Sequence, residues 1–79
     1  MDQNNYHLGI VQNLVSSLTK IDISDITLDK KLADIGKWDS LNHIQMVCGI
    51  EKFLNRQLKL HEIISATTVK DWVKILDNY

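Results

Sequence analysis

Apolar side chains recur at helical spacing near the start of the chain. Between His7 and Lys20 they return every three or four residues, at Leu8, Val11, Leu14, Val15 and Leu18. Because an α-helix turns once in 3.6 residues, these side chains share one stripe. The pattern predicts an amphipathic helix over about residues 5–20.

A second apolar-periodic stretch begins at Ser40 and predicts a helix to about residue 57. Its apolar members cover much of the circumference: Leu41, Ile44, Met46, Val47, Cys48, Ile50, Phe53 and Leu54. Its polar members gather on one ridge: Asn42, Gln45, Gly49, Lys52 and Arg56. We expect a helix this apolar to be the central element of a bundle, with only that ridge fully in water.

The other segments predict a long connection and two more helices. Residues 21–38 alternate isoleucines with acidic residues but offer no partner for a strand, so we interpret them as an ordered loop whose isoleucines lie beneath the bundle. Residues 58–60 are expected to be extended, and residues 61–66 to form a short helix. Thr68 and Asp71 have the spacing of a capping box, which predicts a last helix over about 68–78 with Trp72 on its apolar stripe. Together these elements predict an all-α fold, a four-helix bundle in one domain over residues 1–79.

Composition narrows the range of functions. A chain of 79 residues has little room for a deep catalytic cleft. A net charge of −1 argues against nonspecific binding to nucleic acid. Neither a secretory signal nor a membrane span is apparent, and a single cysteine suits a reducing compartment, so we expect a cytoplasmic monomer that binds no membrane.

The segment Ile35-Gly36-Lys37-Trp38-Asp39-Ser40-Leu41 carries the candidate chemistry. Asp39 has the side chain preferred at a helix N-cap, and Ser40 then occupies the first helical position. The positive end of the helix dipole favours a negatively charged substituent there, such as a phosphate ester. The sequence therefore predicts an exposed hydroxyl that tolerates a phosphodiester, without a reason for it to act as a nucleophile.

Other chemistries fit the sequence poorly. A triad of Ser40, His43 and Asp39 is disfavoured because Asp39 caps the same turn and cannot easily orient the imidazole. Cys48 lies on the apolar arc and is expected to be buried and unreactive. No metal site is expected, since His7, His43 and His61 lie on different elements, and the loop aspartates lack the spacing of a calcium loop.

The chain resembles acyl and peptidyl carrier proteins from about Leu8 to Leu76. The residues that carry the resemblance are Gly36, Asp39, Ser40 and Leu41, together with the approach 32–35, the run 50–53, and Thr68-Val69 at the last helix. The resemblance implies that Ser40 is esterified with 4′-phosphopantetheine, taken from coenzyme A by a magnesium-dependent phosphopantetheinyl transferase. It further implies that the chain is not an enzyme and holds acyl, aminoacyl or peptidyl groups as thioesters, with loading enzymes and downstream synthases or transferases as partners.

The resemblance also assigns roles near the serine and suggests a pathway. Asp39 is implied to cap the helix and help the transferase hold magnesium, while Leu41, Trp38 and Gln45 are expected at the docking surface. Carriers of bacterial fatty acid synthesis have a strongly acidic second helix, whereas residues 42–57 here hold only Glu51 against Lys52 and Arg56. We therefore expect a discrete, free-standing carrier of polyketide, nonribosomal peptide or related specialised biosynthesis. A fatty-acid carrier and an unmodified helical adaptor remain alternatives.

Overall fold

The computed structural model describes residues 3–36 and 38–79, with side chains from Tyr6 onward. Within them the chain forms four α-helices: α1 (Gln3–Thr19), α2 (Ser40–Leu54), α3 (Leu60–Ser65) and α4 (Val69–Asp77). The prediction of an all-α bundle is confirmed. No helix in the described part of the chain is long and apolar enough to cross a lipid bilayer.

The core lies where α1 packs against α4 and, less extensively, against α2. Side chains from all three helices are fully buried there: Val11, Val15, Met46, Ile50, Val69, Trp72 and Leu76. The predicted capping box starts α4, since the Thr68 hydroxyl accepts from the Asp71 N–H at 3.1 Å and the Asp71 carboxylate accepts from the Thr68 N–H at 3.1 Å. Trp72 is buried as its position on the apolar stripe predicts.

The connection between α1 and α2 is ordered by two short 3₁₀ turns, Ile23–Asp25 and Leu32–Asp34. It is tied to the start of α4 by backbone hydrogen bonds from Leu32 to Thr67 and from Val69 to Lys30, at 2.9 and 3.1 Å. Ile26 and Ile35 are buried as expected. Ile23 is exposed instead, because it opens the first 3₁₀ turn on the outside of the bundle. These contacts hold the loop that leads to Ser40.

Helix α2 is shorter than the sequence pattern predicts. It ends at Leu54, three residues before the expected end at Gln57, because Asn55 adopts the left-handed conformation with φ 57°. Asparagine is one of the few residues that tolerates this conformation, which stops a helix. Leu60, expected to be extended, is instead the first residue of α3.

The prediction that α2 exposes only its polar ridge is wrong. Leu41 and Ile44 are 61% and 58% exposed, and Phe53 is also exposed. Cys48 is exposed as well, so the expectation of a buried thiol is wrong too. Helix α3 has only six residues and packs less extensively on α2 than α1 does. Buried positions of α2 include Met46 and Ile50.

Candidate functional site

Ser40 is the first residue of α2, and its side chain is exposed. Asp39 caps the helix as predicted, with extended backbone and a carboxylate oxygen that accepts from the Asn42 N–H at 2.8 Å. This bond satisfies one of the N–H groups that a helix leaves unpaired at its first turn. The hydroxyl of Ser40 is therefore presented to solvent at the positive end of a capped helix.

The segment before Ser40 is anchored in the core. Leu32 and Ile35 are buried, and Trp38 is half-buried and packs against the same cluster. The Trp38 N–H donates to the Ile35 carbonyl at 3.0 Å and closes the turn. Lys37, which the motif includes, lies outside the described residues. The anchoring fixes the backbone that delivers Asp39 and Ser40 to the surface.

A groove of about 350 Å³ opens beside Ser40, lined by Trp38, Asp39, Ser40, His43 and Ile44. His43 borders it from α2, and its Nε2 donates to the Ile63 carbonyl of α3 at 3.0 Å. The imidazole also lies against the Trp72 ring, with 5.8 Å between centroids. The sequence pattern indicated His43 only as a disfavoured triad member or metal ligand, and it gave no sign of this tie between α2, α3 and α4.

The contacts of Asp39 and His43 do not form a catalytic triad. The Asp39 carboxylate is bonded to the Asn42 N–H, and the His43 Nε2 to the Ile63 carbonyl. A triad needs the carboxylate to orient the imidazole and the imidazole to accept from the serine. Among the described residues, the polar side chains near Ser40 are therefore arranged to hold the backbone in place.

The outer face of α2 next to Ser40 carries apolar side chains and uncharged polar ones. The expected docking residues Leu41 and Gln45 are both exposed, one turn apart. Ile44 and, on α3, Ile64 extend this exposed surface, and Ile64 is 69% exposed. The sequence pattern assigned Ile44 to the core, so only the structure adds these two side chains to the surface around the serine.

A second depression on the chain presents fewer of the features that a reactive site needs. A depression of about 410 Å³ lies at the far end of α2, bordered by Cys48, Lys52 and Arg56 among others. It is larger than the groove beside Ser40 but contains no capped helix start and no paired acid and base. Among the described residues, no three histidine, cysteine or acidic side chains are close enough to hold a metal ion. Ser40 is therefore the best candidate site.

The family model for the phosphopantetheine attachment site matches residues 9–76 of the chain. The match covers most of the chain, so the chain belongs to this family of phosphopantetheine-binding carrier proteins. Curated proteins give no significant match. Membership implies a covalently attached 4′-phosphopantetheine, and it implies that the chain interacts with a transferase and with partner enzymes.

The residues present fit such a group. A phosphodiester needs an accessible hydroxyl and a surrounding that favours negative charge, and Ser40 offers both at the capped start of α2. The groove bordered by Trp38 and His43 leaves room beside the hydroxyl. When attached, the group supplies a flexible chain that ends in a thiol.

Proposed function

We propose that Ser40 is the attachment residue and that the chain delivers acyl, aminoacyl or peptidyl thioesters to partner enzymes without catalysing a reaction itself. The observation that carries this proposal is the exposed Ser40 hydroxyl at the capped start of α2, inside the matched range 9–76. The protein's part is recognition: Asp39 fixes the helix start, and the exposed side chains around Ser40 meet the partner.

The surface around Ser40 supports docking by apolar contacts and hydrogen bonds. Leu41 and Ile44 supply apolar area, Trp38 lines the groove beside the serine, and Gln45 is exposed one turn after Leu41. The single acid of α2, Glu51, is half-buried and accepts from the Leu58 N–H at 2.9 Å. Its carboxylate is therefore hydrogen-bonded within its own chain, and α2 presents no row of carboxylates to a partner.

This charge distribution favours a carrier of specialised biosynthesis, such as a polyketide or nonribosomal peptide pathway, over a carrier of fatty acid synthesis. Long-range steering requires a charged face, which α2 lacks beside Ser40. The partners under this proposal are a phosphopantetheinyl transferase, a loading enzyme and a downstream synthase or transferase. An unmodified adaptor that binds a helical partner through the same apolar surface is the alternative.

Intact-mass measurement after incubation with coenzyme A, Mg²⁺ and a broad-specificity phosphopantetheinyl transferase tests the attachment. We expect one prosthetic-group mass to be gained by the wild-type chain and none by Ser40→Ala. Ser65→Ala, which removes an exposed serine of α3, is the matched control and should be modified like the wild type. A folded wild-type chain that gains no mass would contradict the proposal and leave the adaptor, whereas a Ser40→Ala chain that gains mass would contradict attachment at Ser40.

A further inference from the structure

The imidazole of His43 is fixed by contacts to two other helices. Its Nε2 lies 3.0 Å from the carbonyl oxygen of Ile63 in α3, and its ring lies against Trp72 in α4. A carbonyl oxygen only accepts hydrogen bonds, so Nε2 carries a hydrogen whether the ring is neutral or charged. The ring nitrogen that remains open to another contact is therefore Nδ1.

His43 lines the groove beside Ser40, and its Nδ1 makes no hydrogen bond to a described residue. The hydrogen bond of the ring uses Nε2, and within the described residues the buried side-chain nitrogen or oxygen without a partner is Nε1 of Trp72. Nδ1 is therefore unbonded but not enclosed. Because residues three apart on a helix are neighbours on its surface, a substituent on the Ser40 hydroxyl begins beside this ring.

We propose that His43 holds the start of the arm: its Nδ1 takes a proton from water and donates a hydrogen bond to a phosphodiester oxygen on Ser40. This inference rests on the proposed attachment at Ser40. A phosphodiester carries one negative charge at neutral pH and favours the charged form of a neighbouring imidazole. His43 is then a positioning residue, which limits the directions in which the arm leaves α2.

The charged groups on the elements packed around His43 do not oppose this arrangement. Asp39 lines the same groove, and its carboxylate accepts from the Asn42 N–H. On α3, the Glu62 carboxylate accepts from the Tyr79 hydroxyl at 2.6 Å. On α4, Asp71 is bonded to Thr67 and Thr68, and the ring against His43 is the neutral Trp72. No described lysine or arginine lines the groove, so the imidazole is the group there that can become a cation.

Nitrogen-15 spectra of the histidine rings, recorded near pH 7 before and after modification, test the proposal. We expect the Nδ1 resonance of His43 to move toward the position of a protonated nitrogen on modification, while Nε2 stays protonated. His61, exposed on α3, and His7, paired with Asp77, are internal references that should not move. A merely structural role for His43 would leave Nδ1 unchanged.

Two variants separate the anchoring of α3 from the contact to the arm. The glutamine amide in His43→Gln can still donate to the Ile63 carbonyl, but no atom takes the place of Nδ1. In His43→Asn the amide nitrogen takes the place of Nδ1, and the hydrogen bond to the Ile63 carbonyl is lost. We expect modified His43→Gln to keep its fold and to show a narrower phosphorus resonance than the modified wild type, because the phosphodiester rotates more freely. An unchanged Nδ1 resonance in a chain that has gained the group's mass overturns this inference alone. A chain that gains no mass overturns the attachment and this inference together.

Discussion

Trp72 brings an unpaired hydrogen-bond donor into the centre of the core. Its ring is fully buried, and its Nε1 has no partner among the described residues. A buried donor without an acceptor costs roughly 1–3 kcal/mol of stability. The ring nevertheless fills the space between α4 and His43, so its packing offsets the cost of its polar atom.

Replacing Trp72 should therefore separate packing from polarity. Trp72→Ala is expected to lower the free energy of unfolding by about 3–5 kcal/mol, because it leaves a large cavity. Trp72→Phe should cost less than half of that, because it removes the unpaired N–H together with part of the ring. Urea denaturation followed by circular dichroism measures both. Equal losses for the two variants would contradict this expectation, because the phenylalanine ring would then recover none of the lost packing.

At the scale of single residues, the sequence predicted caps better than exposure. Asp39 and Thr68 were assigned as helix caps from local chemistry alone, since a cap depends on residues within one turn. Cys48 and Ile44 were assigned to the core because helical periodicity shows which residues share a face. It does not show how far the next element extends over that face. The structure leaves both side chains exposed, which the periodicity of α2 alone does not reveal.

At the scale of elements, α1 and α2 approach each other at Gly49. A Cβ atom added there would lie 2.8 Å from a terminal methyl of Leu14, whereas one added at Gly9 would meet no described atom within 4 Å. Exchanging glycine for alanine inside a helix is ordinarily worth about 0.5–1 kcal/mol. We expect Gly9→Ala to gain about that much, and Gly49→Ala to gain nothing or lose stability, since Leu14 must move from its packed position.

Thermal and urea unfolding of the two alanine variants checks this contrast. Both substitutions add the same methyl group and the same helix propensity, so any difference reports the contact with Leu14. Equal gains would mean that the Leu14 side chain moves aside at no cost, and that α1 and α2 are packed less closely than the structure shows.

The capping box of α4 should make the free energy of unfolding depend on pH in the acidic range. Burial opposes ionisation of Asp71, but hydrogen bonds from Thr67 and Thr68 outweigh it and hold the pKa of the carboxyl below its ordinary value. Because the pKa is lower in the folded chain, the stabilisation is complete above the unfolded pKa, near 4, and is lost as the pH falls through the folded pKa. Asp71→Asn should therefore be less stable at neutral pH, by about 0.5–2 kcal/mol as for a weakened cap.

Urea midpoints at several pH values test this dependence. Between about pH 5 and pH 2, Asp71→Asn should lose less stability than the wild type, because it lacks the carboxylate that titrates there. Asp29→Asn, which changes an exposed carboxylate of the connection, should keep the wild-type profile. Parallel profiles for the wild type and Asp71→Asn would rule out a role of the capping box in acid unfolding.

Element order and type were predictable because the long helices each have apolar periodicity, and α2 and α4 also begin at a side-chain cap within reach of the first turn. The end of α2 was not, because the polar residues 55–57 are compatible with helix in the sequence, whereas Asn55 adopts the left-handed conformation and stops the helix at Leu54. The long-range ties were also beyond sequence reasoning. The bridge from Lys31 to Thr68 and the bond from His43 to Ile63 join residues far apart in the chain.

For the whole molecule, charge and apolar surface are distributed so that docking should depend little on salt. The net charge is −1, and the side chains around Ser40 on the outer face of α2 are apolar or uncharged. We therefore expect kcat/KM of a phosphopantetheinyl transferase for this chain to fall less than about tenfold between 50 mM and 500 mM salt, since screening acts mainly on exposed charges. A steep fall over that range would contradict docking by apolar contacts.

A pair of isoleucine variants tests the same surface without changing the charge. Ile44→Ser removes an exposed side chain of the groove, and burial of an isoleucine is worth about 1.5–3 kcal/mol, so kcat/KM should fall roughly ten- to a hundredfold. Ile23→Ser removes a comparably apolar side chain from the first 3₁₀ turn, outside the groove, and should leave kcat/KM unchanged. Neither substitution alters the caps of α2, so the Ser40 hydroxyl keeps its presentation in both. If Ile44→Ser matches the wild type while salt has no effect, neither apolar nor charged contacts on this face bind the transferase. Recognition would then depend on the segment from Gly36 to Leu41 itself.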